Sequence, residues 1–198
     1  CENGERALSL AEESLEKLSR RVANIPELLS RTLQAPVPLA PAHLAAETMV
    51  LTGAGIAAGP ARFFAAFLRI DYDVAARYLP PSAFADASTC PSAHTLVVFS
   101  QGLSANARMA LSHRAAYKYV VLVSATEANP RGTPPERFVA QLSAEGVEVL
   151  HHGPRREEGM LVRVLGPSAA ALQGVRWAAG FGGEEELHQS LAGLPIAV

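Results

Sequence analysis

Two small-residue loops, each following an apolar run with strand character, constrain this chain more than any other feature. The first reads Val50-Leu51-Thr52-Gly53-Ala54-Gly55-Ile56-Ala57-Ala58-Gly59, the second Leu96-Val97-Val98-Phe99-Ser100-Gln101-Gly102-Leu103-Ser104-Ala105-Asn106. In each, the pattern predicts a buried strand, a tight turn and a helix. A turn of that kind aims backbone N–H groups and the positive end of a helix dipole at one point, which favours an anion such as phosphate. Gly53 and Gly55 allow backbone to approach a ligand without Cβ obstruction. Ser100, Gln101, Ser104 and Asn106 add hydroxyl and amide donors beside a helix start. Taken singly, Ser104 reads equally well as a helix cap. As a set the four predict a binding loop.

The rest of the pattern alternates strand and helix. Strands are predicted at Met49–Thr52, Asp71–Ala75, Thr95–Phe99, Tyr119–Val123 and Val147–Leu150, with helices at Pro60–Arg69, Ala105–Ala116, Thr133–Ala144 and from Gly166 or Ser168 to about Trp177. Thr133-Pro134-Pro135-Glu136 has the form of a capping box with proline at the first helical position. Such alternation predicts a parallel sheet with helices on both faces, a three-layer α/β sandwich. In the flavodoxin-like order 2-1-3-4-5, strands one and three are neighbours and the chain reverses between them, where ligands bind. Both small-residue loops fall at that reversal.

Ahead of this unit, Leu10, Leu15, Leu18 and Val22 recur near helical spacing over residues 7–22, a second helix is predicted for Ile25–Leu33, and Ala35-Pro36-Val37-Pro38-Leu39-Ala40-Pro41-Ala42 connects onward. The expected organisation is a helical extension and linker over 1–42, the α/β domain over 43–182, and a further helix or link over 183–198.

Composition narrows the function classes. The chain has 198 residues, 49% of them hydrophobic, enough for a real core. Charged residues make up 18%, the formal charge is −2, and no Lys/Arg run exceeds two residues, so nucleic acid is not an expected partner. No apolar run reaches membrane-spanning length, and a cytoplasmic location is expected. The two cysteines, Cys1 and Cys90, are read as unpaired thiols. His151 and His152 have no further ligand at useful spacing, so no metal is expected, nor a cofactor.

The motifs resemble those of SIS (sugar isomerase) domains. Ser100-Gln101-Gly102-Leu103-Ser104-Ala105 resembles that family's phosphate loop, commonly Ser-Gln-Ser-Gly-Glu-Thr, and Gly53-Ala54-Gly55-Ile56-Ala57 its Gly-x-Gly-Thr-Ser turn. Pro81-Ser82-Ala83-Phe84 stands where relatives carry Ser-Glu-Phe, and His152-Gly153-Pro154 with Glu157-Glu158-Gly159 resembles a Gly-Pro-Glu-x-Gly region. Order and spacing are similar to the first SIS domain in the isomerase half of glucosamine-6-phosphate synthases, over roughly residues 20–180. The departures are Ala57 for serine in the first turn, Gly102 and Ser104 for Ser and Glu in the second, and Arg163-Val164 for Thr-Lys.

The resemblance implies a phosphorylated sugar or amino sugar as ligand, held by Gly53, Gly55, Ser100, Gln101, Ser104 and Asn106. It also implies a site completed by a second SIS domain or a homodimer partner. The reaction class it implies is aldose–ketose isomerisation or amino-sugar-phosphate deamination. Two-domain relatives keep most of their catalytic groups in the second domain, so this chain would supply binding more than chemistry. Isomerisation needs a base near a carbon-bound proton and an acid to open the ring; Glu157 and His152 are the candidates, although Arg155 and Arg156 could simply pair with Glu157 and Glu158 on a solvated loop.

Two other readings stay open. One is a non-catalytic sugar-phosphate sensor. The other is a dinucleotide-binding domain, since Gly53-x-Gly55-x-x-Ala58 is followed by Asp71 or Asp73 about 20 residues on, where a ribose-binding acid is expected.

Overall fold

The computed structural model describes residues 2–86, 92–153 and 165–182, with backbone alone for 2–11. The amphipathic opening folds as two helices, α1 (Glu2–Ala23) and α2 (Ile25–Gln34), which break at Asn24. The alternating region then gives β1 (Met49–Gly53), α3 (Ala58–Asp71), β2 (Ala76–Tyr78), β3 (Thr95–Phe99), α4 (Ala105–Ser112), β4 (Tyr119–Ser124), α5 (Pro134–Ala144), β5 (Glu148–His151) and α6 (Leu165–Ala178). The five strands form one sheet in the order β2-β1-β3-β4-β5, every pair parallel, as the sequence pattern predicts.

Strands buried on both faces read as unbroken apolar runs, and β1 and β3 are buried at every position. Alternate side chains feed two cores. Met49, Leu51, Val97, Phe99, Val121, Val123 and Leu150 face α3 and α6, where Phe64 and Trp177 fill the space. Val50, Leu96, Val98, Val120 and Leu122 face α4 and α5, meeting Phe84, Leu111, Val139 and Leu142. Phe64 meets both Phe99 and Trp177 edge-on, at 5.9 and 6.3 Å between ring centroids. That geometry suits the aromatic quadrupole.

The proline-rich connection is part of this packing. Ala40 is buried in the first core, and its N–H donates to the Trp177 carbonyl at 2.8 Å. A Cβ on Gly180 would lie 2.0 Å from the Ala40 carbonyl oxygen, so the two segments touch backbone to backbone. Beside them, Arg176 donates to the Thr32 carbonyl and ties α2 to α6.

Two element boundaries differ from expectation. The strand predicted at Asp71–Ala75 is Ala76–Tyr78 instead. Asp71 closes α3, whose apolar periodicity carries it past Arg69, and Asp73 takes a left-handed turn at φ 52° before the chain can extend. The helix predicted over Ala105–Ala116 stops at Ser112, and a 3-10 turn over Arg114–Ala116 follows. The helix expected near residue 184 lies outside the described residues.

Candidate functional site

The site follows from the parallel register. Gly53, the last residue of β1, stands opposite Phe99, the last of β3. From there the chain departs to opposite faces, to α3 after β1 and to α4 after β3. A crevice between two such departures is where open α/β sheets hold ligands.

The first loop is shaped by one close approach. A Cβ on Gly53 would lie 2.5 Å from the Ala57 carbonyl oxygen, so the turn into the 3-10 segment Gly55–Ala57 admits no side chain there. Gly55 adopts φ +58°, the left-handed region that glycine enters without steric cost. The Tyr78 hydroxyl donates to the Gly53 carbonyl at 3.0 Å, with the Arg62 guanidinium 4.8 Å above the Tyr78 ring. The end of β2 therefore braces this loop.

The second loop is knit by its own polar groups. The Ser100 N–H continues the sheet by donating to the Val123 carbonyl, and its Oγ accepts from the Ser104 N–H at 3.2 Å. Ser104 Oγ accepts from the Ala107 N–H at 3.3 Å and caps α4. The Gln101 carbonyl accepts from the Ala125 N–H at 3.2 Å and from the Ser124 and Thr126 hydroxyls, each at 3.4 Å. Between these anchors Leu103 is held at φ 53° with its side chain buried. A bulky residue rarely adopts that conformation. Leu103 occupies the fourth position of the loop, where the SIS pattern has glycine.

A third segment closes the crevice. The start of α6 packs so tightly on Gln101 that a Cβ on Gly166 would lie 2.5 Å from Gln101 Nε2. His152, just after β5, donates its N–H to the Ser124 carbonyl at 2.9 Å and is 2% exposed. Together these segments line one recess, of about 220 Å³ with its open mouth. Ile56, Ala57, Pro60, Phe99 and Ala170 form the apolar wall, and Ser100, Gln101 and His152 the polar groups, beside Gly166 and Pro167.

Among the described residues, no Lys, Arg, Asp or Glu lines the recess. The described lining offers an anion N–H dipoles and neutral donors, a mode suited to phosphate at helix starts.

The structure thus brings together Ser100, Gln101 and His152, with Gly53 and Gly55 shaping the loop beside them. Ser104 and Asn106 are exposed on the first turn of α4 and do not line the recess. Glu157, with Arg155, Arg156 and Glu158, lies outside the described residues. Asp71 and Asp73 precede β2 at the amino end of the sheet, opposite the loops. Sequence reading missed Gly166 and Pro167 as lining residues; a Gly-Pro pair at a helix start was the available signal.

Comparison with known proteins places this geometry in a wider class. No family model matches the sequence, and no curated protein matches it. Among solved structures, the chain is similar to a provisionally designated phosphosugar isomerase from Silicibacter pomeroyi, with 14% identity and a TM-score of 0.61 over 90% of this chain and 54% of that one. A second protein so designated, from Clostridium difficile, gives 14% and 0.53 over 91% and 48%. The tagatose-6-phosphate ketose/aldose isomerase of Escherichia coli gives 14% and 0.50 over 87% and 44%. At this identity the likeness is one of fold. The chain spans about half the length of these structures. No helix among the described residues is long and apolar enough to cross a membrane.

Proposed function

We propose that residues 43–182 form a SIS-type domain that binds a phosphorylated sugar or amino sugar in the recess where β1 and β3 diverge. The observation that carries this reading is the convergence at adjacent strand ends of the Gly53–Ala57 turn and the Ser100–Ser104 loop. Its motif order remains similar to the first SIS domain of glucosamine-6-phosphate synthases. Ser100 and Gln101, with the backbone about Gly53 and Gly55, hold the phosphate. Ser104 and Asn106, exposed at the α4 start, stand outside the recess and are given no phosphate contact, and the apolar wall takes the sugar carbons. A cytoplasmic setting and a site completed by a second domain or second copy belong to the same reading.

In the reaction this reading implies, aldose–ketose isomerisation or deamination, the chain supplies binding. His152, whose residue lines the recess, is the candidate acid for ring opening. Glu157, six residues before the Arg163-Val164 departure, is the candidate base. A purely sensing role uses the same recess without proton transfer. The dinucleotide alternative is disfavoured, because an acid that reads ribose belongs at the carboxyl end of the second strand, and Asp71 and Asp73 stand at the other end.

Thermal unfolding with a ligand panel tests the proposal. Hexose and hexosamine 6-phosphates are expected to raise the midpoint by mass action, while the free sugars and NAD(H) leave it unchanged. Ser100→Ala is expected to remove the shift. A shift with NAD(H) alone, or an equal shift with the free sugars, would overturn the reading.

A further inference from the structure

Two arginines stand near the carboxyl end of the sheet, one on each face, and neither lines the recess. Arg62 is the fifth residue of α3 and Arg108 the fourth of α4, the two helices that leave the paired ends of β1 and β3. Long side chains on a helix lean back toward its N-terminus, and both helices start at the carboxyl end of the sheet. The contacts agree with that lean. The Arg62 guanidinium lies 4.8 Å from the centre of the Tyr78 ring, and Tyr78 is the last residue of β2. The Arg108 guanidinium lies 5.6 Å from the ring of Phe138, in the second turn of α5, the helix that follows β4.

Both side chains are exposed, and among the described residues neither forms an ion pair. Arg114, by contrast, is matched by Glu145 at 2.6 Å. A carboxylate cancels the field of a guanidinium, whereas an aromatic face holds the group in place and leaves its charge available to an incoming anion. For Arg62 the geometry goes one step further. The hydroxyl of the tyrosine on which it rests donates to the Gly53 carbonyl at 3.0 Å, so a single ring separates this charge from the first loop.

The described lining of the recess carries no charge of its own. A phosphate ester bears a charge of about −1.5 to −2 at neutral pH, and neutral donors do little to distinguish it from a singly charged ester. A fixed cation does distinguish them, because its attraction scales with the charge of the ligand. At roughly 10 Å in a water-like medium and low salt, one unit charge changes the affinity of a dianion about fourfold and that of a monoanion about twofold.

From this placement we propose that Arg62 and Arg108 are charge-selecting residues of the ligand site, two fixed cations that flank the recess from opposite faces of the sheet and favour a doubly charged phosphate ester over singly charged and neutral analogues. This assignment rests on the sugar-phosphate reading of the recess and supplies the charge that the described lining lacks.

Titration calorimetry of the full chain tests it. The probes are glucose 6-phosphate and fructose 6-phosphate, the 6-sulfate ester of whichever sugar binds more tightly, and the free sugar. Each is titrated at about 0.01 M ionic strength, where the Debye length is about 30 Å, and at about 1 M, where it is about 3 Å. The wild type is expected to prefer the phosphate to the sulfate, and to do so less at high salt. Arg62→Gln and Arg108→Gln are each expected to weaken the phosphate about fourfold and the sulfate about twofold at low salt, and neither at high salt. Arg62→Lys is expected to keep the wild-type preference. Arg69→Gln removes the same charge from the last turn of α3, at the far end of that helix, and is expected to change no affinity.

Unaltered affinities in both glutamine variants, or equal losses for the two esters, would overturn the assignment and leave the reading of the recess standing. An equal loss in Arg69→Gln would also overturn it, as an effect of net charge alone. A wild type that binds neither phosphate would remove both.

Discussion

Gly53 is where a single hydrogen-to-methyl change does most damage at the candidate site. Its added Cβ would meet backbone, the Ala57 carbonyl, rather than the end of a movable side chain. Gly53→Ala is therefore expected to destabilise the domain by about 1–3 kcal/mol, the usual range for forced overpacking, and to abolish ligand binding; denaturant unfolding and calorimetry measure the two separately. Gly166 differs in kind, because its Cβ would meet the amide of Gln101. In Gly166→Ala the helix gains up to about 1 kcal/mol in propensity while Gln101 is pushed aside. Unfolding free energy is expected to stay near wild type and sugar-phosphate affinity to fall. Equal affinity in this variant would show that Gln101 takes no part in binding.

These residue-level constraints were only partly legible in the sequence. The two glycines of the first turn could be marked as special, but for ligand approach. The structure gives Gly53 a different role, since the obstruction it avoids is the chain's own turn. Leu103 offered no signal at all. Its left-handed backbone is imposed by the hydrogen bonds on either side of it, from the Ser104 N–H to Ser100 Oγ and from Ala125, Ser124 and Thr126 to the Gln101 carbonyl.

At the scale of elements, strong local patterns placed most segments. The strand Thr95–Phe99 and the helix ending at Ala144 fall where apolar runs and capping chemistry put them. Glu136 reaches back to the Thr133 N–H at 2.6 Å, the reciprocal bond that its spacing predicts. The misplaced second strand has three residues and lies at the sheet edge, too short for periodicity to register. Ser104 and Asn106 were rightly set at a helix start, but on its exposed side, which depends on how α4 rotates against the sheet. The contact of α6 with Gln101 joins segments far apart in sequence and had no local signature.

A polar cluster at the far edge of the sheet gives an element-level prediction. Glu148 on β5 accepts from the Tyr119 hydroxyl at 2.8 Å and from Trp177 Nε1 at 2.7 Å, joining β4, β5 and α6. Burial pushes the Tyr119 phenol above the ordinary tyrosine range, and the Glu148 hydrogen bond and charge add to it. A group whose folded pKa is raised contributes stability that is complete below its unfolded pKa, near 10, and is lost as pH climbs toward the folded value. Unfolding free energy is expected to decline above about pH 10, with a shallower slope in Tyr119→Phe. Parallel slopes would show that Tyr119 does not titrate this way.

For the whole molecule, the parallel sheet has a carboxyl end, where the proposed ligand binds, and an opposite amino end. Groups at the carboxyl end, Ser100, Gln101 and His152, are offered for binding, while Asp71, Asp73 and the Glu148 cluster lie away from it. A ligand that binds only the folded state at about 100 times its Kd adds about 2.7 kcal/mol to stability. A hexose 6-phosphate is expected to approach that value in denaturant titrations, and Asp73→Ala, at the far end, to leave the increment unchanged. Loss of the increment in Asp73→Ala would place the ligand elsewhere.

The most direct measurement is an amide chemical-shift map of the isotopically labelled chain titrated with a hexose 6-phosphate. The account predicts saturable shifts grouped at residues 53–57, 100–107, 152 and 166, absent with the unphosphorylated sugar. Shifts centred on residues 71–76 or scattered without saturation would contradict it.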